Sequence, residues 1–399
     1  MTRDGMRARL RKVKSEFNSL GELRDWMGYS IGFVGRAAGI QEARLRGLEA
    51  GEPAALYELE RLATLYGVDA DALEDLPVRL APGDGIACLT SLDEFRNVSD
   101  SVRALIVAAA NAARDLGKLA RDGAWETFAA QVPRLSTRVR TLPPHRAGAA
   151  LAQQLRRDLG LGLAPIESMR DFLGEFFSEI AVLYSDLSAH GPAGLAFGDR
   201  VRGPTIVLNT TGKNLNPCVR RFSLAHELCH LLHDWNRQQP IATISGYLND
   251  TALDLERRAN AFAVRLLCPE AVLRRIGRSA APSEVAAALR PYGLPYSAVR
   301  LYLRNEAPVL PASRGLTALG TEAKWARSEE PAGIDSFPLP EVTTERRTLI
   351  ARAAAAAYSN DEISRDAFAE YLGVTPASDL ERVLDYFVLP SPADERSAV

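Results

Sequence analysis

The pattern of apolar and polar residues between positions 20 and 80 is helical and is interrupted at short intervals. Apolar residues recur at helical spacing in LGELRDWMG, SIGFVGRAAG, IQEARLRGLEAGEP and ALYELERLATLYGVDADAL. Glycines, which favour the left-handed conformation that ends helices, mark the turns: Gly28, Gly39, Gly51 and Gly67. The pattern predicts four or five short helices joined by tight turns, in a small helical module over residues 1–80.

The pattern changes twice after this module. Residues 81–144 begin with a mixed segment and continue with helical periodicity, which predicts a helical connector. Residues 145–305 contain strand-like apolar runs, among them Thr205–Asn209, and two long helical patterns follow at 217–235 and 252–267. We expect an α+β block with a small sheet beside two helices.

The C-terminal part of the chain divides at a proline-rich segment. Residues 306–340 contain five prolines and are predicted to be a linker. Residues 341–399 regain helical periodicity in ERRTLIARAAAAAYS, SRDAFAEYLG and DLERVLDYF, which predicts a helical C-terminal region. The whole chain is therefore expected to be α+β and mostly helical.

Composition limits the classes of protein to which the chain can belong. The net charge of −2 excludes nucleic-acid binding through overall charge, so a DNA contact would need a local basic patch. The four cysteines are dispersed without a CxxC pair, which fits a reducing compartment. The basic N-terminus lacks the apolar stretch of a signal peptide, and the chain has no run of about 18 apolar residues that would predict a membrane span. We therefore expect a cytoplasmic protein with no membrane partner.

The strongest chemical signal is an H-E-x-x-H pattern formed by His226, Glu227 and His230 within RFSLAHELCHLLH. Residues four apart on a helix lie one turn above each other, so the two imidazoles can bind one Zn²⁺ at about 2.0–2.1 Å. Glu227 would then lie beside the metal, where its carboxylate can accept a proton from a zinc-bound water. The apolar residues on both sides predict a buried helix, in which unpaired polar side chains would be costly. The pattern therefore favours a catalytic zinc site.

A catalytic zinc site needs a third protein ligand, and the helix predicted at 252–267 contains two candidates, Asp254 and Glu256. Glu256 is favoured because it shares a helix face with two alanines and with Asn260, whereas Asp254 lies nearly opposite. A glutamate ligand would make the site gluzincin-like. Asn260, one turn on, is expected to orient a ligand by hydrogen bonding. A solvated charge is the alternative for Glu256, and His233 is expected at the helix edge and not as a ligand.

The run from about Ala150 to Pro269 resembles the ImmA/IrrE family of bacterial and phage metallopeptidases. The matching pieces are, in order, LRRDLGLGLAPIES, IVLN, RFSLAHELCHLLH and ERRANAFAVRLLCP. The resemblance implies Zn²⁺ ligands at His226, His230 and Glu256, with Glu227 as the general base. It also implies cleavage of a specific protein partner, typically a helix-turn-helix repressor, which derepresses stress-response, phage-defence or mobile-element genes.

Residues 20–75 are similar to the XRE-type helix-turn-helix of phage repressors. In this resemblance FVGRAAG is the first helix of the motif, and QEARLRGLEAGE contains the recognition helix. Three arginines are then expected to face phosphates or bases of DNA: Arg36, Arg44 and Arg46. The basic arm Arg3–Lys14 could add phosphate contacts. Because residues 1–80 are nearly neutral, a docking or folding unit without DNA binding is the alternative.

Three further expectations concern the surroundings of the metal. The strand Thr205–Asn209 is either an interior strand or an exposed edge that pairs with an extended substrate. Cys88, which precedes the peptidase-like block, could reach the metal as an inhibitory fourth zinc ligand, because a thiolate is a better zinc ligand than water. An ordinary half-buried thiol is the alternative for Cys88. Cys229 departs from the small residue common in the family and is expected to point away from the metal.

The predicted architecture is an N-terminal helix-turn-helix module, a zincin-like peptidase domain with a small sheet beside the H-E-x-x-H helix, and a helical C-terminal region. The first functional hypothesis is a zinc endopeptidase that cleaves a separate XRE-type repressor. The second is a DNA-binding transcriptional regulator whose peptidase-like domain senses a ligand, and a toxin-like general protease is the third. Glu227 favours the first hypothesis, because a sensor needs no general base.

Overall fold

The structure is a computed structural model, and it describes most of the chain with several gaps. The described ranges are 16–80, 85–90, 92–120, 123–131, 141–235, 240–246, 254–276, 280–295, 297–298, 323–330 and 334–390. The predicted basic arm Arg3–Lys14 lies outside these residues, as do residues 306–322 and 331–333 of the predicted linker.

The N-terminal module, described over residues 16–80, is built from short helices and a two-stranded sheet. Its elements are β1 Glu16–Phe17, α1 Leu20–Met27, α2 Ile31–Ala38, α3 Glu42–Glu49, α4 Leu56–Tyr66, α5 Asp71–Glu74 and β2 Val78–Arg79, which is antiparallel to β1. Ser19 and Ser30 cap α1 and α2, because each hydroxyl accepts the backbone N–H three residues later. Glycines with positive φ end three of these helices, at Gly28, Gly39 and Gly67.

Further helices follow this module along the chain: α6 Gly85–Thr90, α7 Asp93–Arg96, α8 Asp100–Ala120 and α9 Ala124–Gln131. The long helix α8 packs against α4 and also against the sheet. Its Gly117 permits this approach, because a Cβ there would come within 1.9 Å of the Val201 carbonyl oxygen. The buried Arg202 side chain adds a polar link, since it donates to the Ala110 carbonyl at 3.1 Å. Helix α8 therefore connects the N-terminal module to the sheet.

A four-stranded sheet lies between the N-terminal helices and the helices that carry the H-E-x-x-H pattern. Its strands are β3 Ala181–Ser185, β4 Gly194–Asp199, β5 Gly203–Asn209 and β6 Ile241–Ser245, in the order β3-β5-β4-β6. β3 pairs with β5 in parallel, whereas β4 is antiparallel to both β5 and β6. The predicted strand Thr205–Asn209 belongs to β5, which is interior and buried along its whole length. Of the two alternatives that the sequence leaves open for this strand, the structure shows the interior strand and not the exposed edge.

The two faces of the sheet pack against different cores. Side chains on one face, including Ala196 and Ile206, join the core that contains the H-E-x-x-H helix. The alternating side chains, including Leu195 and Phe197, join the core of the N-terminal helices. The sheet therefore separates the core that includes the N-terminal helices from the core that contains the H-E-x-x-H helix.

The helices on the Ala196 face are α10 Pro144–Asp158, α11 Met169–Phe176, α12 Pro217–Cys229, α13 Asp254–Leu267, α14 Glu270–Arg274 and α15 Pro282–Leu289, with 3-10 turns at Gly212–Leu215 and Arg290–Tyr292. Helices α10 and α13 approach closely at Gly148, where a Cβ would come within 2.1 Å of the Arg258 carbonyl oxygen. The helix predicted at 217–235 is α-helical only as far as Cys229. Residues His230–Asp234 form a π-helical turn instead.

The C-terminal region consists of helices and a 3-10 turn at Thr344–Arg346 in the described residues. The helices are α16 Ala323–Ser328, α17 Leu349–Ser359, α18 Arg365–Leu372 and α19 Glu381–Phe387, of which the last three form a third core. Helices α17 to α19 pack around apolar side chains such as Phe368 and Leu384. Helix α16 lies within the predicted linker, yet it packs against α12 and buries Trp325.

The observed architecture confirms the predicted fold class. A helical N-terminal region precedes a small sheet with helices on it, and helices follow it along the described residues. In the described ranges, none of the helices combines the length and the apolar character that crossing a membrane requires.

Candidate metal centre

Helix α12 carries the H-E-x-x-H residues through the interior of the peptidase-like domain. It begins at Pro217, which suits the first turn of a helix, and the Asn216 side chain caps it by accepting the Cys218 N–H at 2.9 Å. Every residue from Ser223 to Cys229 is buried, as the apolar flanks of the pattern predict. The polar side chains of the pattern therefore lie where an unpaired charge is costly.

Three ligand atoms converge between α12 and α13. His226 Nε2 lies 3.1 Å from His230 Nε2 and 3.0 Å from Glu256 Oε2, and His230 Nε2 lies 3.5 Å from Glu256 Oε1. In the part of the chain that the structure describes, these residues alone form a group of metal-ligand types, with ligand atoms within 4.8 Å of one another. Ligand atoms of a tetrahedral zinc site with bonds of about 2.0–2.1 Å lie roughly 3.3 Å apart. The observed spacings fit such a site, with Glu256 as the third ligand.

The other candidates for metal binding on these helices lie elsewhere. Asp254 is exposed at the start of α13, with its carboxylate 3.9 Å from the Arg257 guanidinium. His233 is half-buried, and its ring centre lies 5.3 Å from that of Phe262. Neither residue belongs to the converging group. Their positions agree with the preference for Glu256 over Asp254 and with the expectation for His233.

The second nitrogen of each histidine is bound to an oxygen atom. His226 Nδ1 donates to Asn260 Oδ1 at 3.1 Å, and His230 Nδ1 donates to Asp234 Oδ2 at 2.7 Å. When both imidazoles are neutral and their Nδ1 atoms carry the protons that these oxygens accept, the lone pairs of the two Nε2 atoms face each other. Two such acceptors cannot hydrogen-bond to one another, but they can share a cation. Asn260 thus has the orienting position that helix spacing predicts.

The charges around the two imidazoles favour a cation. Burial lowers the pKa of His230, but the hydrogen bond to Asp234 and the negative charges of Glu256, Asp234 and Glu227 outweigh it and raise this pKa to about 9. Burial also raises the pKa of Asp234, yet Arg258 and His230 hold it below its ordinary value. Two imidazoles and a carboxylate are donors that suit a divalent transition metal such as zinc. The residues present therefore fit a metal ion.

Glu227 lies beside the ligand group without belonging to it. Its side chain is fully buried, and Thr243 Oγ1 on β6 donates to Oε2 at 3.2 Å. Among the described residues, Glu227 Oε1 meets no donor in full hydrogen-bonding geometry, which is unusual for a buried carboxylate, although the Ser245 hydroxyl on β6 also interacts with this carboxylate and lowers its pKa. Burial raises the pKa of Glu227, and the charges of His226 and His230 oppose this rise. Glu227 can therefore accept a proton at Oε1 while the hydrogen bond from Thr243 keeps Oε2 in place.

Sequence patterns do not identify four residues around this centre: Gly194, Asp234, Thr243 and Arg258. For Asp234 a local signal exists, because it follows His230 by four residues, the spacing of neighbours on a helix. Gly194 and Thr243 lie on β4 and β6, so their contacts with Glu227 depend on the order of strands in the sheet. Arg258 reaches Asp234 from a separate helix.

Cys88 packs with the core on the other face of the sheet. It belongs to α6, which contacts β6, and its Sγ lies 3.9 Å from the Pro240 carbonyl oxygen. Its side chain adjoins the core that includes Ala242, whereas the neighbouring Thr243 points to Glu227. Cys88 does not belong to the converging group, so the structure does not support the prediction of a fourth zinc ligand. Its surroundings agree with the alternative, an ordinary half-buried thiol. Cys229 is buried and also outside the group, as expected.

The three arginines predicted to face DNA differ in their surroundings. Arg44 donates to acceptors in the α3–α4 turn at 2.7–3.0 Å: the carboxylates of Glu52 and Glu58 and the carbonyl of Pro53. Arg44 therefore stabilises this turn, and its expected contact with DNA stays a prediction. Arg36 on α2 and Arg46 on α3 are exposed, and Arg46 lies 3.7 Å from the exposed carboxylate of Glu42. The exposed face of α3 is thus mixed in charge.

Comparison with known families places this site in a recognised domain. Residues 178–302 match the family model of the IrrE N-terminal-like domain, peptidase family M78. The matched range contains the four-stranded sheet, α12 and α13, and it supports a metallopeptidase-like domain of the ImmA/IrrE type. No curated protein gives a significant match to the chain. The match does not reach residues 20–75, so their resemblance to an XRE-type module stays a prediction.

Proposed function

We propose that the protein is a zinc-dependent endopeptidase that cleaves a specific protein partner. The observation that carries the proposal is the convergence of His226 Nε2, His230 Nε2 and a Glu256 carboxylate, with the open oxygen of Glu227 beside them. The match of the surrounding domain to a metallopeptidase family supports the same chemistry. A structural zinc site would need a fourth protein ligand, and the described residues around this group supply three.

Each residue of the centre has a separate task in peptide hydrolysis. A zinc ion bound there would supply Lewis acidity, which polarises a peptide carbonyl and activates water near neutral pH. Glu227 accepts the proton of the attacking water through Oε1 and delivers it to the leaving nitrogen. Thr243 holds the other oxygen of Glu227 in place. Asn260 and Asp234 orient the two imidazoles.

The burial of the centre favours a selective enzyme over a general protease. The side chains of His226 and Glu256 are 7% and 1% exposed. The two outer strands of the sheet also contact other elements, β6 with α6 and β3 with the 3-10 turn Thr344–Arg346. A partner must therefore engage a defined surface to reach the metal centre. From the resemblance to the ImmA/IrrE family, we propose an XRE-type repressor as this partner, with its cleavage derepressing stress-response, phage-defence or mobile-element genes.

Co-expression with an XRE-type repressor encoded beside the gene tests this function. The wild-type chain is compared with Glu227→Gln, which preserves the size of the side chain, and intact-mass spectrometry identifies the repressor fragments. We expect one dominant cleavage in the wild-type sample and none with Glu227→Gln. An intact repressor with the wild-type chain, loaded with zinc, would argue against this partner, and equal cleavage by both proteins would refute the mechanism.

A DNA-binding regulator is the second candidate function, and the exposed arginines of the N-terminal module support it. Arg36 and Arg46 project from the two helices that resemble a helix-turn-helix. We expect duplex binding by this module to weaken steeply with salt and to fall when both arginines are replaced by alanine. Equal DNA binding by the wild-type and doubly substituted chains would show that Arg36 and Arg46 do not contact DNA. If the wild-type chain does not bind DNA even at low salt, the module would instead be a docking or folding unit.

A further inference from the structure

The H-E-x-x-H helix changes its geometry after Cys229. Residues His230–Asp234 form one π-helical turn, in which the Trp235 N–H donates to the His230 carbonyl at 3.0 Å. Turns of this type are rare and occur often at functional sites. This turn ends at Asp234 and brings its carboxylate beside the second histidine of the pattern.

The Asp234 carboxylate bridges His230 and Arg258. Oδ2 accepts from His230 Nδ1 at 2.7 Å, and Oδ1 accepts from the Arg258 guanidinium. The side chains of Asp234 and His230 are 0% exposed, and that of Arg258 is 23% exposed. Because both oxygens are engaged on the Nδ1 side of the imidazole, Asp234 does not belong to the converging ligand group.

The turn is also held by neighbours on both sides. Arg258 lies on α13, the helix that carries Glu256, so its ion pair with Asp234 connects the turn to that helix. Trp235, directly after the turn, is 3% exposed. Its ring centre lies 4.2 Å from that of Trp125 and 5.7 Å from that of Phe128. These contacts leave the Asp234 carboxylate little freedom to move.

We propose that Asp234 and Arg258 are positioning residues of the metal centre. Asp234 fixes the tautomer and the ring orientation of His230, since a ligand histidine is oriented by the oxygen that accepts from its other nitrogen. Arg258 acts through Asp234: it holds the carboxylate in place and balances its charge in a site that already contains Glu227 and Glu256. The placement of His230 and of Glu256 is thereby coupled. This inference rests on the proposed metal centre.

Metal affinity tests the positioning role without relying on peptidase activity. Zinc affinity is measured by competition with a chromophoric chelator, and the absorption spectrum of the Co²⁺-loaded protein reports ligand geometry. We expect Asp234→Ala to weaken zinc binding by about 10–100-fold and to shift the cobalt spectrum. Arg258→Met should weaken it less, and the double variant should lose no more than Asp234→Ala alone, because Arg258 acts through Asp234.

A matched control pair exists on the same helix. Asp254 and Arg257 lie 3.9 Å apart with side chains 59% and 53% exposed, so Asp254→Asn and Arg257→Met should leave both readouts unchanged. If Asp234→Ala does not fold, Asp234→Leu, which has a similar size but no hydrogen-bond acceptor, and Arg258→Met decide. Wild-type zinc affinity and an unchanged cobalt spectrum in these folded variants would overturn the positioning role.

A His226→Ala variant separates this failure from failure of the proposed function. Loss of metal in that variant, together with wild-type affinity in the Asp234 and Arg258 variants, would retain the metal centre and reject the positioning role. Unchanged metal binding in His226→Ala would show that the centre itself is wrong, and the positioning role would be rejected with it.

Discussion

Gly194 lies directly against the carboxylate of Glu227. A Cβ at this first residue of β4 would come within 2.7 Å of Glu227 Oε1, closer than real Cβ contacts occur, and within 3.0 Å of its Cγ. The oxygen concerned is the one without a hydrogen-bond partner among the described residues. Because Gly194 has no side chain, β4 leaves room for the carboxylate of the proposed general base, Glu227.

Replacing Gly194 by alanine should displace this base and spare the metal ligands. We expect Gly194→Ala to retain zinc and to lose peptidase activity by on the order of 100-fold, the effect of a shift of about 1 Å in a catalytic group. Metal analysis and cleavage of the partner protein by the same preparation check both parts. Gly174→Ala on α11 is the matched control, because a Cβ there meets no atom within 4 Å. Full activity in Gly194→Ala would contradict the placement of Glu227.

The His226, His230 and Glu256 group should bind one zinc ion per chain. Elemental analysis of purified protein measures the content, which we expect to vanish in a variant with both histidines replaced by alanine. Because metal binds the folded state, its removal by a chelator should lower the melting temperature of the wild type and leave the double variant unaffected. His190→Ala, at an exposed position, should keep the metal. A double variant with full zinc content would exclude this site.

Glu227→Gln should separate metal binding from catalysis. The amide keeps the volume beside Gly194 but cannot take a proton from water, so we expect zinc content near that of the wild type and a rate lowered by about 100- to 10,000-fold. Thr243→Val is a useful companion, because it removes the hydrogen bond to Oε2 while the base remains. Its rate should lie between those of the wild type and Glu227→Gln. A fully active Glu227→Gln protein would require a different base.

A buried ion pair should stabilise the docking of α16 on the metal-binding helix. Arg221 on α12 and Glu329, directly after α16, lie 2.6 Å apart with fully buried side chains, and the Arg221 guanidinium lies 3.9 Å from the centre of the Trp325 ring. We expect Glu329→Ala to lower the free energy of unfolding by about 3–5 kcal/mol, since it leaves Arg221 buried without its partner. Urea denaturation followed by circular dichroism measures the change. Glu330→Ala, at an exposed position, is the control, and equal stability of the two variants would contradict this role.

Helix spacing alone predicts the centre of the site. His226, Glu227 and His230 lie within about one helical turn, so their relative positions follow from local geometry. The same rule places Glu256 and Asn260 on one face of a second helix, where both contact His226. The glycine-terminated helices of the N-terminal module are local features as well, and the pattern predicts them. Such predictions succeed because neighbours in the chain determine them.

The remaining contacts depend on packing between distant parts of the chain, which local patterns cannot specify. The strand order makes β5 interior, brings Thr243 on β6 to Glu227 and leaves Cys88 with the core of the opposite face. Arg44 is another example. Arginine is a common DNA contact, but in the folded module the guanidinium of Arg44 forms ion pairs with Glu52 and Glu58. The sequence alone leaves several possible ion-pair or hydrogen-bond partners for such a side chain. Burial selects among them, because a polar group removed from water is stable only with the partner that the fold brings within hydrogen-bonding distance.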